Sequence, residues 1–429
     1  MDGCPGWDCE LYLGKCNGYG SGWAAPTILP GFLTSEPPQD VYNFMLAHKA
    51  FVPSAQRIIY RDPFPTAIRQ HDARAKAFGL RQILDKHPHL GRSVRRLSQL
   101  HSFVSDLAQH RPDEHSSAFD QAVEACSWQA DILRLCPSVH FASLLLRDAD
   151  YARTIGQILR SRLPSSVSLH FPPSLTGTRQ QAVLGQFARG LGGDATSGLN
   201  VLRINASAAW HVDNDMRPDY VARKIVLNLD RAKTAPLSTA AALLPRRCEA
   251  TEELVLEELG DNSATSQHFT DAIKGNRLQV VTLEGEDWLY SAANGLKEDY
   301  GRCVRGVSVS LAILPAFPHA RELTLRGFRD LDLRKLAVIA RASPLVQILD
   351  LSLSFWTLDH TDLTSEHPRT SSFDNKLIGI LDSMKCIESI DLGILPYNKK
   401  VDCRCGLRRY AGGRRIALEM DGCQMEEEE

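Results

Sequence analysis

The sequence has no excess of charge of either sign: 49 basic and 51 acidic side chains leave a formal charge of −2 over 429 residues. So weak a net field gives no general attraction for nucleic acid or an anionic membrane surface. Long apolar runs are also missing, none approaching the ~20 residues a membrane helix requires. The start, Met1 to Cys16, lacks the basic-then-apolar order of a secretory signal. The eleven cysteines are odd in number and scattered from Cys4 to Cys423, unlike the dense framework of a small secreted scaffold. Reduced thiols inside the cell, in cytoplasm or nucleus, are the expectation.

Recognisable catalytic signals are scarce. The sequence contains no G-x-S-x-G elbow, no C-x-x-C pair and no H-E-x-x-H helix, and no glycine-rich phosphate loop follows its apolar stretches. Cys4, Cys9 and Cys16 lack the paired spacing and the nearby histidine of a structural zinc site. His211-Val212-Asp213 has the H-x-D spacing that supplies two ligands of a non-heme iron site, with a distant residue such as His268 needed as the third. A tripeptide of that kind arises often by chance, so an iron oxygenase is only a remote alternative. No catalytic residue, cofactor or metal is expected.

What is present is a folded protein's composition, 43% hydrophobic and 23% charged, too apolar for disorder. Residues 1–24, rich in Gly, Cys and Trp, read as an irregular arm. From Asp40 to Tyr60 apolar residues fall three or four apart, as two short amphipathic helices require, with Pro53 in the first turn of the second. Residues 66–86 read as a helix stopped by His87-Pro88. Short apolar stretches of strand length then recur, from Val94–Leu100 to Ile416–Met420, separated by helical text such as Leu333 to Ala342.

Self-similarity decides the fold class. After Pro318, apolar residues stand two, five and seven places on, at Ala320, Leu323 and Leu325; after Pro344 the same places hold Val346, Leu349 and Leu351. Cys136-Pro137 gives a weaker copy in Val139, Ala142 and Leu144, and Lys385 heads a degenerate one in Ile387, Ile390 and Leu392. Proline ends a helix, the chain turns, and alternate residues of a short strand enter a shared core. This is a leucine-rich-repeat unit, and the class expected is α/β: an irregular, horseshoe-like solenoid of parallel strands and helices over residues 65–423. Leu325 to Leu351 is 26 residues, within the ~20–29 period of such repeats, whereas Leu351 to Leu392 is 41 and implies an insertion around Trp356 to Asn375. The competing reading is a parallel sheet in an ordinary alternating α/β domain. Residues 172–275 carry only a weak repeat signal.

The stretch Asp40 to Phe64, DVYNFMLAHKAFVPSAQRIIYRDPF, resembles the second half of an F-box in the form common among fungal F-box and leucine-rich-repeat proteins. The segment Ile83 to Leu97 resembles the entry to the repeat array in that family. The first half departs from the pattern: Ala24-Ala25-Pro26-Thr27-Ile28-Leu29-Pro30-Gly31-Phe32-Leu33 has Pro30 and Gly31 interrupting its helix. The resemblance implies a helical F-box-like segment over 25–64 that docks on the Skp-type linker of a cullin-RING ubiquitin ligase, while the repeats select a protein substrate. By position, Ile28, Leu29, Phe32, Leu33, Val41, Phe44, Leu46 and Phe51 would meet the linker. An orphan binding protein, its degenerate head only capping the repeats, is the alternative. The acidic tail, residues 424–429, reads as solvated, and Arg404, Arg408, Arg409, Arg414 and Arg415 as a local basic cluster on a terminal repeat.

Overall fold

The apolar offsets read after Pro137, Pro318, Pro344 and Lys385 are the places where the chain is buried. All twelve residues at those places are core, none more than 5% exposed. The structure, a computed structural model, describes residues 47–63, 70–98, 100–101, 127–162, 164–172, 175–192, 199–206, 209, 217–232, 235–246, 248–259, 266–285, 307–308, 317–329, 331–352, 354, 356, 372–394 and 405–421.

In chain order the elements are α1 (Val52–Ile59), α2 (Gln70–Lys86), β1 (Arg96–Leu97), β2 (Phe141–Leu145), α3 (Ala149–Arg160), β3 (Ser166–His170), α4 (Gly177–Leu191), β4 (Leu199–Asn205) and β5 (Ala222–Asn228). There follow α5 (Pro236–Leu243), β6 (Glu253–Leu259), α6 (Ser266–Ala272), β7 (Val280–Gly285), β8 (Val307–Ser308), β9 (Glu322–Arg326) and β10 (Phe328–Arg329). The chain continues through α7 (Leu333–Ala342), β11 (Ile348–Asp350), α8 (Ser372–Ser383), β12 (Ser389–Ile394), α9 (Cys405–Arg414) and β13 (Ala417–Asp421). Eleven strands form one sheet in the order β1-β2-β3-β4-β5-β6-β7-β9-β11-β12-β13, and β8 pairs β10 separately.

Every neighbouring pair in the large sheet is parallel, and the strands follow one another in chain order with β8 and β10 set aside. A doubly wound domain reverses its strand order at a switch point; this chain advances in one direction throughout. That progression makes the fold an open α/β leucine-rich-repeat solenoid. Residues 172–275, where the sequence signal is weak, belong to the same ladder: Val167, Leu202, Ile225, Leu254, Val281 and Leu323 stand opposite one another in turn. A second column runs through Leu169, Ile204, Leu227, Leu256, Leu283 and Leu325. All are essentially inaccessible to solvent, and each such side chain contributes roughly 1.5–3 kcal/mol by burial.

The helices cover the face to which these columns point. Asp148 caps α3 by accepting from Tyr151 N at 2.9 Å, and Asp332 caps α7 by accepting from Lys335 N at 2.6 Å. The buried residues of α3, Ala152, Ile155, Gly156, Ile158 and Leu159, recur at helical spacing on its inner side. Gly156 and Gly190 let α3 and α4 approach closely: a Cβ on Gly156 would lie 2.4 Å from Phe187 O, and one on Gly190 2.3 Å from Arg153 O.

One hydrogen-bond device joins successive repeats. The carbonyl just before a strand accepts two N–H groups from the next repeat, as Arg95 O does from His140 and Phe141, and Arg321 O from Gln347 and Ile348. The end of the helical head enters this series. Arg61 O accepts from Arg95 N and Arg96 N, both at 2.9 Å, and Asp62 Oδ2 accepts from Ser98 Oγ at 2.6 Å. Backbone donors at the edge of β1 are thereby satisfied. Beyond the two residues of β1, the buried Gln129 amide plays the part of a strand: it donates to Leu145 O and accepts from Leu145 N, each at 3.1 Å.

Candidate protein-interaction surface

Because strand side chains alternate, fixing one set of columns in the core presents the intervening set on the opposite face. Its rows change character along the array. On β2 to β4 they include Ser143, Ser168, His170 and Asn205; from β4 onward charged residues, Lys224, Glu253, Glu257, Glu284 and Arg326 among them, flank a row that runs from Arg203 through Val226, Val255, Thr282 and Thr324.

The polar end is a tight network. The rings of His101 and His170 stack with centroids 3.9 Å apart, and Ser143 Oγ lies 2.8 Å from His101 Nδ1 and 3.0 Å from His170 Nε2. A hydroxyl has one proton to donate and lone pairs to accept with, so its role toward each ring nitrogen depends on that ring's tautomer. Asn205 Nδ2 donates to Ser168 Oγ at 3.1 Å and to Leu169 O at 3.0 Å. Burial pushes the His101 imidazole down from 6.5 to about 4, so it is neutral at pH 7. Ser143 is itself only 3% exposed, which suits a packing role better than attack on a substrate.

The charged part is a ladder across strands. Arg203 on β4 pairs with Glu257 on β6, and Lys224 on β5 with Glu253 on β6; Asn228 Nδ2 also donates to Glu257 Oε2 at 3.2 Å. Arg326 on β9 bonds Asp350 on β11 at 2.7 Å and stands 3.9 Å from Glu284 on β7. Burial, with the Glu257 carboxylate beside it, raises the Glu284 carboxyl above its ordinary value against the pull of Arg326 and Arg203. For Asp350 burial also works upward, but hydrogen bonds from Ser352 and Arg326 outweigh it and hold the carboxyl low. Three cations on this stretch, Arg203, Lys224 and Arg326, meet Glu257, Glu253, Glu284 and Asp350, and Glu322 and Asp391 lie on the same face, so the surface is paired in its middle and acidic toward β12. Ile348, 40% exposed on β11, adds an apolar contact point.

Of the residues assigned to linker contact, Ile28, Leu29, Phe32, Leu33, Val41, Phe44 and Leu46 lie outside the described residues. Phe51 is described: it ends the short 3-10 helix Lys49–Phe51, is 36% exposed, and meets the His48 ring edge-on at 5.9 Å. His211 and Asp213 also lie outside the described residues, while His268 is exposed on α6. Among the described residues no group of three or more His, Cys, Asp or Glu side chains is placed to hold a metal, and no helix is long and apolar enough to cross a membrane.

The basic cluster read at the C-terminal end separates in space. Arg414 Nη1 turns inward to Tyr410 OH at 2.9 Å and Leu381 O at 3.1 Å, with Asp382 at 3.6 Å, whereas Arg408 and Arg409 are exposed. A denser gathering of arginines that sequence reading missed lies at the other end, where α1 meets the first repeats. Arg92, Arg95 and Arg96 were visible as a short basic run, but nothing local joins them to Arg57 and Arg61.

No family model matches the chain, and no curated protein matches it. Among solved structures it is similar to the crystal structure of a TLR13–ssRNA13 complex, at 12% identity over 69% of this chain and 41% of that one, with a TM-score of 0.34. It is similar also to the crystal structure of the Rad7 and Elc1 complex in yeast, at 13% identity over 88% of this chain and 95% of that one, with a TM-score of 0.32. The chain spans about two fifths of the length of the first. Likenesses of this size carry no functional argument.

Proposed function

We propose that the protein is a non-catalytic interaction protein whose open sheet face holds a partner protein, and that it serves as a substrate-recognition adapter of a cullin-RING ubiquitin ligase. The observation that carries the first part is the unbroken parallel sheet with its cross-strand charge ladder from Arg203 to Asp350. A row of charges spanning β4 to β11 suits a ligand with its own extended pattern of charge, and such complementarity sets specificity and encounter rate more than raw affinity. The adapter role rests on the F-box resemblance of Asp40 to Phe64, whose apolar side chains would be the anchors for a Skp-type linker.

The test is co-elution of the purified chain with the Skp-type linker, beside a variant carrying Phe44→Asp and Leu46→Asp. Association of the wild type that the variant loses is the expected result. A well-folded wild type that fails to associate would leave an orphan repeat protein. One observation favours that second reading: Arg61 and Asp62 close the edge of β1, which supports capping as a sufficient reason for the helical head.

A further inference from the structure

A cleft of about 1030 Å³ opens where the outer side of α1 meets the turns entering β1, β2 and β3. Five arginines line it, Arg57, Arg61, Arg92, Arg95 and Arg96. The imidazoles of His89 and His140 and the hydroxyls of Ser93, Ser165 and Ser166 add to its polar wall, and no carboxylate lines it among the described residues. In a chain whose formal charge is −2, this is a local concentration and not a reflection of composition.

The arginines are largely uncommitted. Arg96 has a carboxylate, Asp62, at 3.7 Å, but that group already accepts from Ser98 Oγ, and the guanidinium also lies 4.9 Å from the Phe141 ring centre. Among the described residues Arg95 Nη1 has long hydrogen-bond contacts to Ser138 O and His140 Nε2, both at 3.4 Å. Arg57, Arg61 and Arg92 make no ion pair among the described residues and are exposed. The hydrogen bonds from Arg95 N and Arg96 N to Arg61 O bind the two sides of the cleft together, so the cations are held near one another by the backbone and cannot drift apart at will. Five like charges around one opening repel one another, and more strongly beside protein than in open water. An anion in the cleft reverses the sign of that energy.

We propose that this cleft binds an oligophosphate, an anion bearing two or more adjacent phosphate groups. A planar guanidinium donates two parallel hydrogen bonds to a phosphate, which an ammonium does not; five of them exceed the charge of a single phosphate, and serine hydroxyls and imidazoles suit the remaining oxygens. The cleft volume is at the upper end of the ~300–1,000 Å³ usual for small-ligand sites. This site lies at the N-terminal edge of the open face, where Arg96, Phe141 and Ser166 begin their strands, and does not depend on the adapter reading.

The test uses the full chain and inorganic tripolyphosphate, titrated by calorimetry at low and at physiological salt, with ATP and a hexaglutamate peptide in parallel. Tripolyphosphate should bind saturably and more weakly as salt rises. The pair Arg57→Gln and Arg92→Gln should weaken it at least tenfold, and the pair Arg57→Lys and Arg92→Lys should weaken it by a smaller factor. Arg408→Gln with Arg409→Gln, at the far end of the array, should change nothing. ATP binding tighter than tripolyphosphate would support the site and assign a nucleotide as its source; weaker binding would support a free phosphate chain. No saturable binding by the wild type, equal loss in the Arg408 and Arg409 pair, or hexaglutamate binding as tightly as tripolyphosphate would overturn the proposal. Melting curves of each variant separate loss of binding from loss of fold.

Discussion

His101 shows how a single residue's surroundings set a global property. Its imidazole is neutral because burial opposes the charge, and its ring stacks on His170 while Ser143 bridges the two. The folded value of about 4 lies below the ordinary 6.5, so between these two pH values the unfolded chain takes up a proton that the folded chain refuses. Stability present above pH 6.5 is therefore lost as the pH falls toward 4, by on the order of 3 kcal/mol at most. Urea unfolding at pH 7 and pH 5 should show this fall, and His101→Gln should flatten it; an equal slope in the variant would assign the acid sensitivity elsewhere. None of this network was legible in the sequence. His101 and Ser143 are 42 residues apart, and only the register of β2 against β3 brings His170 to them.

Elements in this fold are placed by contacts between neighbours, and α3 against α4 is the closest case. Each helix presents a glycine to the other's backbone, so a side chain there has no flexible partner that can yield. Gly156→Val should destabilise by about 1–3 kcal/mol, the range for overpacking, while Gly185→Ala, with open space at its Cβ, should be neutral or stabilising by up to ~1 kcal/mol as helix propensity favours alanine; chemical denaturation of both variants checks the contrast. Helix text was uneven as a signal. The Leu333–Ala342 helix was readable from spacing and matches α7 residue for residue. The strand β6, Glu-Leu-Val-Leu-Glu-Glu-Leu, gives a poor strand signal because its acidic residues do not alternate cleanly; its identity comes from pairing with β5 and β7. The short apolar stretch Val307 to Leu314 is of strand length, and of it the described part, β8, pairs with β10 outside the main sheet.

For the whole molecule the governing feature is that each repeat touches chiefly the repeats beside it, which makes stability a sum along one dimension. Central strands have a partner on both sides, whereas among the described residues β13 is paired on one side only, to β12. Native-state hydrogen exchange should therefore be slowest in β4 to β7 and fastest in β13. Uniform protection along the array would mean that the molecule opens as one unit and that the one-dimensional account is wrong.

The sequence by itself determined the repeat. Ala320, Leu323 and Leu325, with their counterparts after Pro344 and Lys385, are fixed by local chemistry: a helix stop, a turn and a two-residue alternation all leave marks within nine positions. In residues 172–275 those marks thin out. Thr251 stands where the other copies have an apolar residue, and the spacing between strands varies, so the remaining leucines could serve any parallel sheet. There the tertiary structure decided, because strand order and register are properties of contacts between segments tens of residues apart. The charge ladder from Arg203 to Asp350 and the arginine cleft were decided the same way. Like and unlike charges scattered along a near-neutral chain acquire meaning only when the sheet stacks them ~4.8 Å apart or a backbone hydrogen bond ties one arginine-bearing segment to another.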